Sequence, residues 1–565
     1  MPSRRLPASS SDGTARGPLV SFTFDGRTYE GLEGEPLAVS LLAADRRILS
    51  RSFRFHRPRG LMCSTGQCGW CECEVDGRPS VRSCRVPVRA GLVARGEHAL
   101  PSVDRDLLAL VGLLSPWIPP TFYHHRFRRP RALRKRYLDV LRWFGGRGRL
   151  GTGERVPSPG RPAHRIELDV LVVGGGRAGL LAALGAAETA GRVVLIEAES
   201  SLGMGWRIDA GTEQGLDTIA DLASQALDAG VEILTGVVAV GWYDGMVAAI
   251  GEATRYELRA QAIVAATGSY DRVPLVPGSD RPGVMAARTA VGLVDRYRIL
   301  PGERALLVGD GPELAAAGER LAGGGVDLVG QVATPSLRRI IGRRRVSGAV
   351  HAAGGRERRE RVDLVVFADR SPNLDLVLAA GAAVERHEGI VVPVCDDSGA
   401  TSLAALFVAG SAAGRPIVKA AEAEMARLAG RTAGLRAGAR SAEQRSDRTA
   451  RSPRPARVDE TAAAVPAVAA LASDAIVCFC EDVRVWEVRN EQRAGYGDPE
   501  LVKRRTGALT GPCQGKYCLQ AFTCLTNAMS DGPVALPTAR PPLHPVRLGD
   551  LVGCEDPSAP GDVTR

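Results

Sequence analysis

The sequence predicts an α/β fold in which two interleaved, Rossmann-like dinucleotide-binding domains lie between two small cysteine-rich modules. Two glycine-rich turns, "VLVVGGGRAGLL" and "LLVGDGPELAAA", each follow an apolar run and open a small-residue helical stretch. Eight of the twelve cysteines fall into two groups of four with short internal spacings, one group near each end. A polar Arg/Ala/Pro-rich stretch, 438–470, sets the second group apart as a flexible linker would.

Length and composition bound what the chain can be. At 565 residues it is too long for one core and implies several domains. A hydrophobic content of 45% with 24% charged residues is that of a soluble globular protein. The best candidate for a span, "LLALVGLLSPWIPP", is too short to cross a bilayer and is broken by three prolines. The N-terminus carries arginines but no apolar core, so it reads as a tail and not a signal peptide. The chain is therefore expected in the cytoplasm, associated with a membrane only through an acceptor, and its cysteines are expected to bind metal. The net charge of +10 comes almost wholly from arginine, since only four residues are lysine, and it is spread among acids. That dispersal, with 5% aromatics, argues against a nucleic-acid partner.

Cys63, Cys68, Cys71 and Cys84 follow C-x4-C-x2-C-x12-C. The opening spacing is the plant-type [2Fe–2S] signature, and Gly66 and Gly69 suit a loop that curls to aim N–H groups at sulfur. Zinc is the alternative, but it favours paired C-x2-C hooks. Cys73 reads as a packed strand residue. Upstream, "VSFTFDGRTYEGLEGEPLAVSLLAA" predicts a hairpin turning at Asp25-Gly26 and then a helix, the β-grasp order.

In the first turn, Gly174-x-Gly176-x-x-Gly179 follows a buried strand, and a second strand ends at Glu197. The glycines permit a tight turn and close approach of a pyrophosphate to a helix N-terminus, and the acid can accept ribose hydroxyls. "QAIVAATGSY", with Thr267 and Gly268, and "TSLAALFVAGSAAG", with Gly410 and Ser411, resemble the pieces that close over FAD in two-dinucleotide-fold (glutathione-reductase-like) flavoproteins. Ser411 stands where aspartate is usual, which leaves FAD and NAD both open for the first site. The second turn keeps Gly309 and Gly311 but has Leu314 for the third glycine, and its second strand ends at Gln331 without an acid. NAD(P) binding there stands level with an intact fold whose site is empty. No cysteine lies between Arg85 and Val394, which excludes a redox-cysteine pair beside a flavin.

Cys478-x-Cys480 and Cys513-x4-Cys518 form a second four-thiolate set in "AIVCFCEDV" and "TGALTGPCQGKYC". The set resembles the helical [2Fe–2S] domain of bacterioferritin-associated ferredoxin, with zinc as the runner-up. Gly507, Gly511 and Gly515 permit the loop; Lys503 and Lys516 are expected to offset cluster charge; Cys524 and Cys554 are spare. The expected organisation is a disordered tail (1–18), a β-grasp [2Fe–2S] domain (19–104) and a basic helical connector (105–164). The FAD/dinucleotide domain (165–295 and 375–436) encloses the NAD(P)-type domain (296–374). A linker (437–473), the helical [2Fe–2S] domain (474–530) and an extended tail (531–565) follow.

This order, with "RSFRFHRPRG" (51–60) and "PSVDRDLLALVGLLSPWIPPTFYHHRF" (101–127), resembles the α-subunit family of heteromeric sarcosine oxidase, hydrogen cyanide synthase and opine and dye-linked proline dehydrogenases. The resemblance implies an electron-transfer subunit with two [2Fe–2S] clusters and FAD, and FMN at a subunit interface. Its partner would be a D-amino-acid-oxidase-type flavoprotein β subunit that oxidises the amine, and its electrons would pass to an external acceptor. The chain stops at Arg565, so the folate-binding domain of sarcosine oxidase α chains is expected to be absent. The residues agree in offering no Ser-His-Asp set, paired carboxylates or ligand-spaced histidines; His124-His125 reads as a surface feature. The alternative is a self-sufficient NAD(P)H-dependent flavin/iron–sulfur reductase.

Overall fold

A computed structural model describes residues 4–7, 17–110, 112, 130–145, 162–203, 213–243, 245–387, 389–414, 419–443, 471–527 and 536–551. Its contacts divide the chain into two units. One comprises residues 1–153, 271–370 and 462–534; the other comprises 154–270, 371–461 and 535–565.

In the first unit, Leu19–Phe24 and Arg27–Leu32 pair antiparallel around the Asp25-Gly26 turn, where both residues take positive φ. Leu19–Phe24 then pairs in parallel with Val93–Gly96, and Glu72–Val75 and Arg78–Arg82 complete a five-stranded sheet. The helix Leu37–Ala43, buried along its length, belongs to this β-grasp module. Cys73 is fully buried in Glu72–Val75 with its thiol 3.5 Å from the Val81 carbonyl, as a packed strand residue should be. The same unit contains a four-stranded parallel sheet, ordered Val284–Ala286, Leu364–Phe367, Arg304–Val308 and Asp327–Val332. Its inner strands are apolar almost throughout, as a parallel sheet buried on both faces requires. The C-terminal module adds a short hairpin at Ile476–Cys478 and the helices Val485–Arg493, Pro499–Thr506 and Leu519–Asn527 around Phe522 and Leu525.

The second unit is a seven-stranded sheet centred on Ala163–Val173, which pairs in parallel with Val193–Glu197 on one side and Arg255–Ala265 on the other. Leu406–Val408 joins Arg255–Ala265 in parallel from a distant part of the chain. Small residues let the helix Arg177–Ala187 lie directly on Lys419–Glu443. A Cβ on Gly430 would come within 1.8 Å of the Ala182 carbonyl oxygen.

Three segments differ from expectation. Arg4–Pro7 is docked and not free: Arg5 makes a two-pronged ion pair with the buried Glu35, and Leu6 N–H donates to the Arg298 carbonyl. The first residues of the stretch expected as a linker from 437 are helical: Lys419–Glu443 runs through them, with Ala433 and Ala437 buried in the same stripe as Ala426 and Ala429. In the C-terminal segment, Leu536 and Leu543 are buried in the second unit's core, and Leu543 N–H donates to the Val240 carbonyl. Of the basic connector, Arg131–Gly145 is a helix, while His124-His125 and most of 438–470 lie outside the described residues. No helix among the described residues is long and apolar enough to cross a membrane.

Candidate cofactor-binding sites

At the carboxyl edge of the seven-stranded sheet, four neighbouring strand ends converge. They carry Glu197, Gly174–Gly176, Thr267-Gly268 and Gly410-Ser411. Gly174 takes φ +114°, and a Cβ there would sit 2.3 Å from the Ala266 carbonyl oxygen. A Cβ on Gly179 would lie 1.8 Å from the Gly174 carbonyl oxygen, so strand, turn and helix touch backbone to backbone. At Gly176, which caps Arg177–Ala187, a Cβ would meet nothing within 4 Å. That open ground before a helix N-terminus fits a pyrophosphate. Glu197 accepts from Gly175 N–H at 2.6 Å and from Glu199 N–H at 2.8 Å. Burial nevertheless raises its pKa above the ordinary carboxylate value, which leaves room for further donors such as ribose hydroxyls. Asn373, not singled out from sequence, ties the far side: its N–H donates to the Gly268 carbonyl at 2.9 Å, and Thr267 Oγ1 donates to its carbonyl at 3.2 Å. Ser411 is exposed, with its Oγ 4.0 Å from where a Gly268 Cβ would be. The residues present fit a dinucleotide.

The second turn is built differently. Gly309 and Gly311 both take positive φ, and Gly311 caps Pro312–Gly323. Leu314 is fully buried in the core beneath the turn. A Cβ on Gly309 would be 2.8 Å from Asp369 Oδ1, and the Asp369 carboxylate accepts from Thr334 Oγ1 and the Arg272 guanidinium. Gln331 Nε2 donates to the Gly309 carbonyl at 3.3 Å, so its side chain is folded onto the turn. The Asp369–Arg272 pair thus stands beside Gly309, while a Cβ on Gly311 would meet nothing within 4 Å.

All four thiols of the first set are buried, as are Cys478, Cys513 and Cys518, while Cys480 is half-buried; none is in a disulfide. In the first set Cys63 lies beside Cys68 and Cys71 beside Cys84, each close enough to act on its neighbour's ionisation. In the second the thiols form a row, Cys480–Cys513–Cys518–Cys478. Among the described residues, no group of three or more such side chains is placed to hold one metal ion. Backbone N–H groups aim at the sulfurs: Trp70 at Cys68, Gly66 at Cys84, Thr65 and Gln67 at Cys63, Gly515 at Cys513. Burial opposes ionisation of Cys63, yet the Cys68 thiol and the Thr65 and Gln67 donors hold it well below the usual thiol range. Both sets fit a [2Fe–2S] cluster, and Gly511 has its reason here: a Cβ would fall 2.3 Å from Cys480 Cβ. Lys516 acts electrostatically on Cys513, whereas Lys503 pairs with Glu500 at 3.4 Å.

The arginines of 51–60 point inward. Arg57 and Arg59 both bind the buried Asp280 carboxylate, and Arg59 also reaches Asp482 at 2.6 Å and the Phe479 carbonyl. Arg54 binds Glu487 at 2.5 Å. Burial alone would lift the Asp280 carboxyl, but the two guanidiniums hold it well below the carboxylate range.

Fold and turns thus define a chain that joins a ferredoxin-like domain to an oxidoreductase-type pair of dinucleotide folds. Residues 17–99 match a 2Fe-2S iron-sulfur cluster binding domain, 168–330 match pyridine nucleotide-disulphide oxidoreductase, and 472–554 match the sarcosine oxidase A3 domain. The chain is a relative of the α subunits of sarcosine oxidases and of the corresponding subunits of opine oxidases. It is 30% identical to the sarcosine oxidase α subunit of Rhizobium meliloti over 98% of its own length and 59% of that protein's. With an opine oxidase subunit of the same species it shares 27% identity over 69% of its length and 99% of that protein's. It thus spans about three-fifths of the first of these relatives. An L-proline dehydrogenase structure from P. horikoshii shares the fold, with a TM-score of 0.68 and 22% identity over 95% of this chain and 98% of that one.

Proposed function

We propose that the chain is the electron-transfer α subunit of a heteromeric flavin-dependent amine or amino-acid dehydrogenase or oxidase, of the sarcosine, glycine/cyanide-forming, proline or opine type. Electrons would reach it from a D-amino-acid-oxidase-type flavoprotein β subunit, then leave it for an external acceptor. When bound, [2Fe–2S] clusters carry single electrons and a flavin converts two-electron chemistry into single steps. The observation that carries this reading is the eight thiols grouped in two four-membered sets, in a chain whose first dinucleotide turn has an acid at the end of its next strand and whose second has Gln331 there. This chain's residues hold and insulate carriers. Gly174, Gly176 and Gly179 with Glu197 would hold FAD or NAD, with Thr267, Gly268, Gly410 and Ser411 at its rim. Cys63, Cys68, Cys71 and Cys84, and Cys478, Cys480, Cys513 and Cys518, would hold the two clusters. Thiol–disulfide chemistry is not among the proposals, because no cysteine lies between Arg85 and Val394.

The test is dye reduction by the purified, cofactor-reconstituted chain alone, offered sarcosine, glycine, proline and opines. No turnover is expected with any of them, and turnover without a partner protein would overturn the assignment.

A further inference from the structure

The cysteine sets lie 394 residues apart from Cys84 to Cys478, yet within the first unit they pack against each other. Cys480 Sγ lies 3.8 Å from the carbonyl oxygen of Cys68. The Trp70 and Phe479 rings, each beside a cysteine of its own set, have centroids 5.2 Å apart. Arg82 Nη2 donates to the Pro512 carbonyl at 3.0 Å, next to Cys513. Tyr517, buried between Cys513 and Cys518 in sequence, shares a core with Cys63, Cys68 and Trp70. The Arg59–Asp280–Asp482 ion pairs beside this contact fix the two modules in register.

We infer that the two sets form one electron-transfer junction, in which Cys68 and Cys480 make the direct contact and Tyr517 is a positioning residue that reaches from the second set to the first. This rests on the reading that both sets hold [2Fe–2S] clusters. The path from one set to the other runs through the covalent bonds of Cys68 and a single nonbonded contact to Cys480. With clusters bound, one electron would pass along it without any bond forming or breaking, the donor set losing what the acceptor set gains. A hydroxyl placed near ligand sulfurs favours the electron-rich state, so Tyr517, in the core that holds Cys63 and Cys68, would raise the potential of the first cluster from within the second module.

The experiment is redox-poised EPR on the full chain with iron, acid-labile sulfide and zinc quantified. About four irons and four sulfides per chain are required for two [2Fe–2S] clusters. In the fully reduced protein the two signals are expected to broaden or split one another and to relax faster than either does when reduced alone. Tyr517→Phe, which keeps the ring and the packing, is expected to shift the reduction equilibrium of the Cys63–Cys84 cluster about tenfold toward the oxidised form, about 59 mV for one electron. The second cluster should not move. Two clusters whose signals simply add, or a Tyr517→Phe protein whose two potentials are unchanged or move together, would overturn the junction while leaving the clusters in place. Zinc in place of iron would overturn the cluster reading itself, and the junction with it.

Discussion

The two glycine-rich turns begin alike and end differently. Both follow a buried parallel strand, and both open a helix at a glycine with empty space where a Cβ would be. At the first, Gly179 lets the helix touch the turn, and Glu197 stands at the end of the next strand with N–H donors on each oxygen. At the second, Leu314 fills the core beneath the turn, Gln331 folds onto the Gly309 carbonyl, and the Asp369 carboxylate faces Gly309. The backbone motif is thus a folding device that both share, and nucleotide binding is decided by what surrounds it.

Gly179→Ala tests the first turn hardest. The Gly174 carbonyl cannot yield without moving the strand end, so a loss above about 3 kcal/mol is expected, with no dinucleotide retained. Thermal melting and the nucleotide released on denaturation check it; a stable variant with full nucleotide content would break the comparison. Leu314→Ala at the equivalent place is expected to cost about 3 kcal/mol through a core cavity while leaving NADH binding undetectable. Glu197→Gln, whose amide nitrogen must face one of the two backbone N–H donors, should weaken dinucleotide binding about tenfold or more through the loss of one charged acceptor.

The same residue sets a pH dependence. Glu197 holds its proton more tightly in the folded chain than in the unfolded one. Its contribution to stability of the nucleotide-free protein is therefore fully present in acid and is lost as pH rises through its raised pKa. Dinucleotide affinity runs the other way, falling as pH drops through that pKa, and Glu197→Gln should flatten the profile measured by fluorescence titration. Asp369→Asn has the smallest expected effect, about 1 kcal/mol or less, since it loosens one partly exposed ion pair with Arg272. Measurable NADH binding in that variant would show that charge alone closes the second turn.

Local features were legible in the sequence because local chemistry demands them. The Asp25-Gly26 turn needs positive φ, and the apolar strands leading into the glycine turns need burial on both faces. The spacing of Cys63, Cys68 and Cys71 declares a loop, and the structure sets Cys63 beside Cys68 and Cys71 beside Cys84. What stayed hidden joins residues hundreds of positions apart, or pairs them across a fold. Arg57 and Arg59 meeting Asp280, Tyr517 meeting Cys63, and Asp369 beside Gly309 leave no periodic trace. The arginine-rich 51–60 stretch stood out, but nothing in it shows whether its charges face water or Asp280. Leu536 and Leu543 sit singly in a proline-rich segment, too sparse to mark a buried strap.

The most direct test of the account is an anaerobic EPR titration of the chain alone, reconstituted with iron, sulfide and FAD, first with NADH and NADPH and then with dithionite. The account predicts silence with both nucleotides and reduced [2Fe–2S] signals with dithionite, as expected of a chain whose second turn carries the Asp369 carboxylate and whose proposed carriers await a partner. Prompt signals with either nucleotide would contradict it and make the chain a self-sufficient reductase.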